Sequence, residues 1–558
     1  MSTKLIEVAL PLEEISAASR RDKDKKTGTI KNVHKCFAPM PTPAWRALLF
    51  AALIDDPGEP EARAELLEFV KRLVPAHGGA PDEQTLAEAH KMLMEATGGN
   101  PPTVFDPFCG GGSTLVEAQR LGLPAAGSDL NPVPVLITRV LTELMPQVRG
   151  CPPLVGTAGQ LGGSTEGGLG GFLADCRHYA ERVRAEVWNK VGHLYPEPPG
   201  GGTVVAWLWA RTVTCPNPAC RAVAPLVSSF WLSKRKGAET WVEPVGGRPG
   251  GKVTFEVRTG AGGPKPPSKT GRGGTFRCLV CSEGFDKHYL QAEGMAGRMC
   301  VQLLAVAVDR EGKREYLSPA QAGQPPSVDR PEDAPDIVLS PGSHDLWCQS
   351  YGVTTFADVF TNRQLVALGA FADSVAQVGK WVCSDGGDEV YAKAVASVLG
   401  LCVGKLAHSN STQVRWNSPV TRPSKPEPAF SRHALPMLWD FTEANPFGGS
   451  VGDWRTQLDT VSRGLRSLPP VRGPAQTVQA GARGSAYIAE RPLLLATDPP
   501  YFAQIGYADL SDYFYIWLRR ALAGVHPDLF ATVATPKADE LIAAPYRHQG
   551  SKEAATRY

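Results

Sequence analysis

Apolar residues fall in short runs whose period changes along the chain. Thr103-Val-Phe-Asp106 is β-branched and aromatic and predicts a short buried strand. Leu115, Ala118 and Leu121 share one side of a helix predicted over Ser113 to Leu121, behind a turn of three glycines, Gly110 to Gly112. Ala125-Ala-Gly-Ser-Asp129 predicts the next strand. Strand, Gly-rich turn, helix and strand make the start of a doubly wound α/β sheet. Phe172, Cys176, Ala180, Val183, Val187 and Val191 recur at steps of three or four, which predicts an amphipathic helix ending near Gly192. Helical patterns return over Gln364 to Val378 and Val390 to Leu406, and Pro492-Leu-Leu-Leu-Ala-Thr497 predicts another buried strand.

These patterns divide the chain. Residues 1–60 include Pro43 to Ile54, whose small and apolar residues predict a buried helix packed on the next unit. Residues 61–150 hold the first part of the α/β core. Between Gly150 and Gly171 the composition of Gly, Pro, Ser and Thr predicts a linker. Residues 172–335 combine the amphipathic helix with an insertion whose Gly-Pro-Lys-rich middle is expected to be irregular. Residues 336–480 read as helical up to a Gly-rich link near 473–484, and residues 481–558 return to the core.

Hydrophobic residues at 42% and charged residues at 20% suit a globular protein, while 58 Gly and 49 Pro predict long irregular connections. The net charge of +2 gives no general attraction to polyanions, so any such binding needs a local patch. One candidate is Lys234 to Arg277, with ten Lys or Arg against three Glu; a solvated surface loop has the same composition. The chain shows no secretory signal and no apolar run of the roughly 18 residues needed to cross a bilayer, so a cytoplasmic protein with no membrane partner is expected. Twelve cysteines in that setting argue for thiols or metal ligands.

The Gly turn lets a cofactor approach the backbone closely. A dinucleotide fingerprint starting at Gly110 fails because Leu115 occupies the third glycine position, and a phosphate-binding loop fails for want of a lysine. What remains is Asp106-Pro107-Phe-Cys-Gly110-Gly111-Gly112, the Asp-x-x-x-Gly-x-Gly pattern of S-adenosylmethionine enzymes, with Asp129 placed to accept bonds from two ribose hydroxyls. Asp498-Pro499-Pro500-Tyr501 gives a rigid bend at a strand end. There Asp498 and the Pro499 carbonyl can accept the two hydrogens of an exocyclic amine while Tyr501 stacks on an extruded base. An ordinary proline turn would explain the tetrapeptide alone; its pairing with the Gly turn favours a site. Cys215-x4-Cys220 and Cys278-x2-Cys281 form two knuckles able to supply four thiolates to a structural zinc, a closed shell with no place for catalytic water. The aromatic clusters around Trp207 and from Tyr507 to Trp517 suit core packing or base stacking.

Taken together, these residues resemble bacterial adenine-specific DNA methylases with an inserted zinc ribbon and an N-terminal domain of unknown function, often found in phage-defence gene clusters. The resemblance extends over Val205-Ala-Trp-Leu-Trp-Ala-Arg-Thr-Val-Thr-Cys215, Phe360-Thr-Asn-Arg-Gln-Leu365, Ala434-Leu-Pro-Met-Leu-Trp-Asp-Phe441 and Gly506-Tyr-Ala-Asp-Leu-Ser-Asp512. It implies a methyltransferase sheet interrupted by the zinc ribbon and a helical segment able to recognise the target. It also implies methyl transfer from S-adenosylmethionine to the 6-amino group of adenine in DNA, and phage-defence proteins as partners. Two departures stand out. Phe37-Ala-Pro-Met-Pro-Thr-Pro43 replaces a Trp-Trp-Ala-Arg-Arg-Pro-like string, which removes the expectation of cofactor contacts from that segment. The sequence reaches Tyr558 where such a sheet still needs later strands, so a truncated gene product, a split enzyme whose partner chain completes the sheet, or a fragment of a longer chain is expected. A catalytically silent DNA-binding subunit, or an enzyme acting on cytosine or RNA, are the other readings.

Overall fold

The computed structural model describes every residue except 1, 38, 156–167, 471, 485–491, 503–504 and 558. The expected linker between Gly150 and Gly171 therefore lies largely outside the described residues. The chain is mixed α/β, built around a four-stranded parallel sheet. Its strands are β1 (Thr103–Asp106), β2 (Ala125–Asp129), β3 (Ala475–Gln479) and β4 (Leu493–Leu495), in spatial order β3-β2-β1-β4. Val104 lies opposite Ala125, Ala125 opposite Ala475, and Thr103 opposite Leu493. The order reverses between β1 and β4, and a crevice outside the carboxyl ends of strands at such a switch point is where open α/β sheets bind ligands.

Helix Ser113–Leu121 joins β1 to β2 and is buried on every side from Thr114 to Leu121. One side packs on the sheet through Leu115 and Ala118; another meets the N-terminal helices, whose Leu49, Phe50, Phe69, Val70 and Leu73 belong to the same core. The predicted helix after Pro43 is present as Thr42–Leu53 and is tied down electrostatically. Arg46 donates to Glu117 at 2.7 Å and to the Leu73 and Gly79 carbonyls, and Arg120 holds the same carboxylate. All three charged groups are buried. Burial pushes the Glu117 carboxyl up, and the two guanidiniums more than offset it, leaving it below the ordinary carboxylate range.

The insertion is more regular than its composition predicts. Strand Thr203–Thr214 pairs with Val223–Leu226, Cys300–Arg310 and Asp440–Ala444 in a five-stranded antiparallel sheet completed by Lys313–Leu317. Trp231–Ser233, Thr240–Val245 and Thr254–Thr259 form a second antiparallel sheet, its last two strands inside the basic stretch. Alternation of apolar and polar residues in Thr254-Phe-Glu-Val-Arg-Thr259 favours a strand, the aromatic and β-branched Trp241 and Val242 favour its partner, and the glycines between them supply the reversal.

The predicted amphipathic helix spans Gly170–Val191, and Asn362–Val375 and Glu389–Ser409 match the other helical patterns. Together with Trp454–Leu465 and Tyr507–Leu522 they share the largest core. The stretch 336–480 is not purely helical, since it also supplies Arg415–Asn417, Lys425–Glu427, Asp440–Ala444 and β3. Helix Glu389–Ser409 is long and apolar enough to cross a membrane, contrary to the expectation that no such run exists, but its apolar side chains fill this core. The strand predicted over 492–497 is shorter, and it is not buried: Leu493 is 45% and Leu495 62% exposed. Among the described residues β4 pairs only with β1, so its outer side lacks the cover that an interior strand receives.

Candidate functional site

β1 ends on Asp106, whose buried carboxylate closes the following turn. It accepts from the Phe108 N–H at 3.0 Å and from the Thr114 hydroxyl at 2.6 Å. Gly112 follows at φ +80°, where a Cβ would stand 2.8 Å from the Thr138 hydroxyl, so only glycine fits without displacement. Gly112 is also the N-cap of helix Ser113–Leu121 and offers no side-chain cap, which leaves the positive end of the helix toward the cavity.

β2 ends on Asp129, which reaches back to the turn. Its two oxygens accept from the N–H groups of Gly110 at 3.1 Å and Asn131 at 2.9 Å. A carboxylate has about four acceptor positions, so capacity for further donors remains. Burial is the main force on both acids. It pushes Asp129 up to about 7 and Asp106 up to about 6, against the backbone and hydroxyl bonds that lower them.

β4 lies beside β1 and leads directly into Asp498-Pro-Pro-Tyr501. The two motifs, remote in sequence, thus meet. Asp106, Pro107, Gly110, Gly111, Asp129, Asp498, Pro499, Pro500 and Tyr501 all line one cavity of about 1200 Å³ of empty space including its open mouth, whereas Gly112 packs against Thr138 and does not line it. Asp498 is exposed at the cavity's edge, where partial desolvation raises it against the charge of Lys23. Tyr501 is 52% exposed, which leaves its ring free to meet a planar partner.

The other walls come from segments that the motifs did not announce. Lys35, Cys36, Phe37, Pro39, Met40 and Trp45 close one side, with Cys36 against Gly111. The Phe37 to Pro43 segment, whose string departs from the family's, thus contributes Phe37, Pro39 and Met40 to the cavity wall. Residues 9–71, which include that wall, match the family model described as "Protein of unknown function (DUF1156)". No curated protein and no solved structure matches the chain. The matched region also carries Arg46, so it is fastened to the helix that follows the Gly turn.

Another wall is Tyr507, Ala508 and Ser511 at the start of helix Tyr507–Leu522, with Pro536, Asp539, Glu540 and Leu541 folded back over it. Glu540 accepts from the Ala508 N–H and pairs with Arg547 at 2.7 Å, which in turn holds Asp509 at 2.9 Å. Tyr507 lay within the quoted Gly506 to Asp512 string, whereas Asp539 and Glu540 follow no pattern that sequence reading could use. The rest of the aromatic run, Tyr513 to Trp517, is buried in the core and takes no part in the cavity.

A second cluster lies in the insertion. Cys215, Cys220, Cys278 and Cys281 place their sulfurs within 4.8 Å of one another, the first three buried and the last exposed. Cys215 and Cys281 are 3.6 Å apart and Cys220 and Cys278 3.9 Å. A tetrahedron with metal–sulfur bonds of about 2.3 Å has edges of about 3.8 Å, so the four thiols can hold a metal ion. Strand Thr203–Thr214 delivers the first knuckle and the Phe276–Arg277, Gly284–Phe285 ribbon the second. None of the four lines the cavity.

Proposed function

We propose that the cavity binds S-adenosylmethionine and that the chain transfers its methyl group to the 6-amino group of adenine in DNA, in a restriction-modification or phage-defence setting. One observation carries this reading: the Gly turn with Asp129, and Asp498 to Tyr501, converge at the ends of adjacent parallel strands at the switch point of the sheet. On this reading the sheet is a doubly wound methyltransferase sheet.

The donor set fits such a cofactor. Asp129 retains acceptor positions for ribose hydroxyls, and an acidic lining that includes Asp498 and Asp539 complements a ligand bearing a sulfonium and an ammonium. When bound, the cofactor supplies an electrophilic methyl group. The chain's part is positioning. Asp498 and the Pro499 carbonyl accept the amine hydrogens and so aim the nitrogen lone pair, and the two prolines keep both acceptors on a stiff backbone. As positive charge develops on nitrogen, the Asp498 carboxylate stabilises it and stands ready for the released proton. Tyr501 stacks on the extruded base. In the insertion, the proposed occupant of the four cysteines is a structural zinc.

Transfer of labelled methyl groups to unmodified DNA tests the reading. Asp498→Ala is expected to abolish transfer while S-adenosylhomocysteine still binds; transfer by that variant, or no cofactor binding by the wild type, sinks it. A second reading, a subunit active only with a partner, is favoured by the exposed outer side of β4. A wild type that binds cofactor yet transfers only after a second chain is added would select it.

A further inference from the structure

A larger cleft adjoins the cavity and shares Lys35, Cys36, Gly111, Asp498 and Tyr501 with it. We propose that this cleft carries the phosphate backbone of a nucleic-acid strand, gripped by N-terminal lysines, and so delivers a base to Asp498 and Tyr501. The proposal rests on the methyl-transfer reading for the identity of the site at the cleft's end.

The charge balance of the cleft supports it. Lys23, Lys25, Lys31, Lys35 and Arg466 line it, against Asp22, Glu83 and Asp498. Its other two guanidiniums, Arg46 and Arg120, are committed to Glu117. Asp22 is buried, and desolvation favours its neutral form. Lys23, Lys25, Lys35 and Arg466 have no ion-pair partner among the described residues. Lys35 is the most informative of them. It sits where cleft and cavity join, partly desolvated, its ammonium 5.6 Å from the centroid of the Phe37 ring. An unpaired cation held out of water is costly unless an anion comes to it. A chain of phosphates supplies such anions along the whole cleft, and its bases supply the planar partner that Tyr501 lacks. At the cleft's end a nucleic acid presents a neutral base to Asp498, whereas an acidic peptide presents a carboxylate that Asp498 repels.

The placement differs from what composition suggests. No residue of the basic stretch 234–277 lines the cleft or the cavity. The cations nearest the candidate chemistry come instead from within residues 9–71, the region matched as of unknown function, and from Arg466.

Binding of a short labelled oligonucleotide, single-stranded and duplex, DNA and RNA, across a salt series tests this. The variant Lys23→Gln/Lys25→Gln/Arg466→Gln removes three cations that lie outside the cofactor cavity. With about 0.7 ion released per single-strand phosphate contact, it should weaken single-strand binding roughly 100-fold at about 0.1 M salt and reduce the slope of log K against log salt by about 2. Thermal melting should stay unchanged. An unaltered slope overturns the proposal, as does a loss produced instead by Lys234→Gln/Lys236→Gln/Lys252→Gln, or equal competition by polyglutamate. If the triple variant loses binding while the wild type transfers no methyl group, the cleft stands and the methyl-transfer reading falls. If the wild type transfers methyl groups and the triple variant binds as well as the wild type, the reverse holds.

Discussion

Replacing Asp129 by Asn should remove a pH dependence from cofactor binding. Burial pushes this carboxyl from an ordinary value of 3.8 up to about 7, so in the ligand-free protein about one-tenth is ionised near pH 6 and about nine-tenths near pH 8. Gly110 and Asn131 already donate to it, and only the ionised form accepts two further hydroxyls without a proton of its own in the way. Affinity for S-adenosylhomocysteine should therefore rise about tenfold across that interval, or about 1.4 kcal/mol. Calorimetric titrations at several pH values give the wild-type curve, and Asp129→Asn should bind weakly with no such rise. Asp106, pushed up to about 6 and repelled by an ionised Asp129, titrates in both proteins but not identically, so the comparison rests on the interval between about pH 7 and 8, above its titration. The same shift has a consequence for the ligand-free fold. A carboxyl raised on folding binds its proton more tightly in the native state, so its contribution to stability is complete below 3.8 and is lost as pH rises through about 7. The variant should lack that loss. Flat wild-type affinity over the interval, or an identical rise in the variant, would refute the assignment of Asp129 as an acceptor for the ligand.

Two further outcomes follow from buried groups elsewhere. Elemental analysis of the purified protein should find about one zinc per chain, bound by the four thiolates and absent from Cys278→Ser; a metal-free wild type removes the zinc proposal. Glu117→Gln leaves Arg46 and Arg120 buried without their carboxylate, which should destabilise the protein by about 3–5 kcal/mol. Denaturant melts and earlier proteolysis within residues 1–100 would register it, whereas an unchanged melt would mean that the guanidiniums find water or other acceptors.

Much of the candidate site was legible because its signals are local. A strand ending in Asp106, glycines at 110–112 and a helix after them are readable from a window of twenty residues, and two cysteine pairs announce themselves by spacing. β3 was not legible. Its Ala475-Gln-Thr-Val-Gln479 sits in a Gly-rich stretch that reads as a link, and only pairing with β2 makes it a strand. The wall of Lys35, Cys36, Phe37, Pro39 and Met40 was obscured for a different reason: its string departs from the family's, and its own residues carry no local pattern that places them at the site.

The sequence by itself determined the parts that chain-local chemistry controls: helix and strand periods, the glycine turn, the rigid proline bend and the thiol pairs. Tertiary structure alone decided which of these parts meet. Parallel pairing joins strands hundreds of residues apart, as β1 and β4 do, and no local pattern encodes that register. Burial belongs to both surfaces of a contact, so the raised acids Asp106 and Asp129, the exposed side of β4 and the lysines of the cleft became visible only once their surroundings were in place.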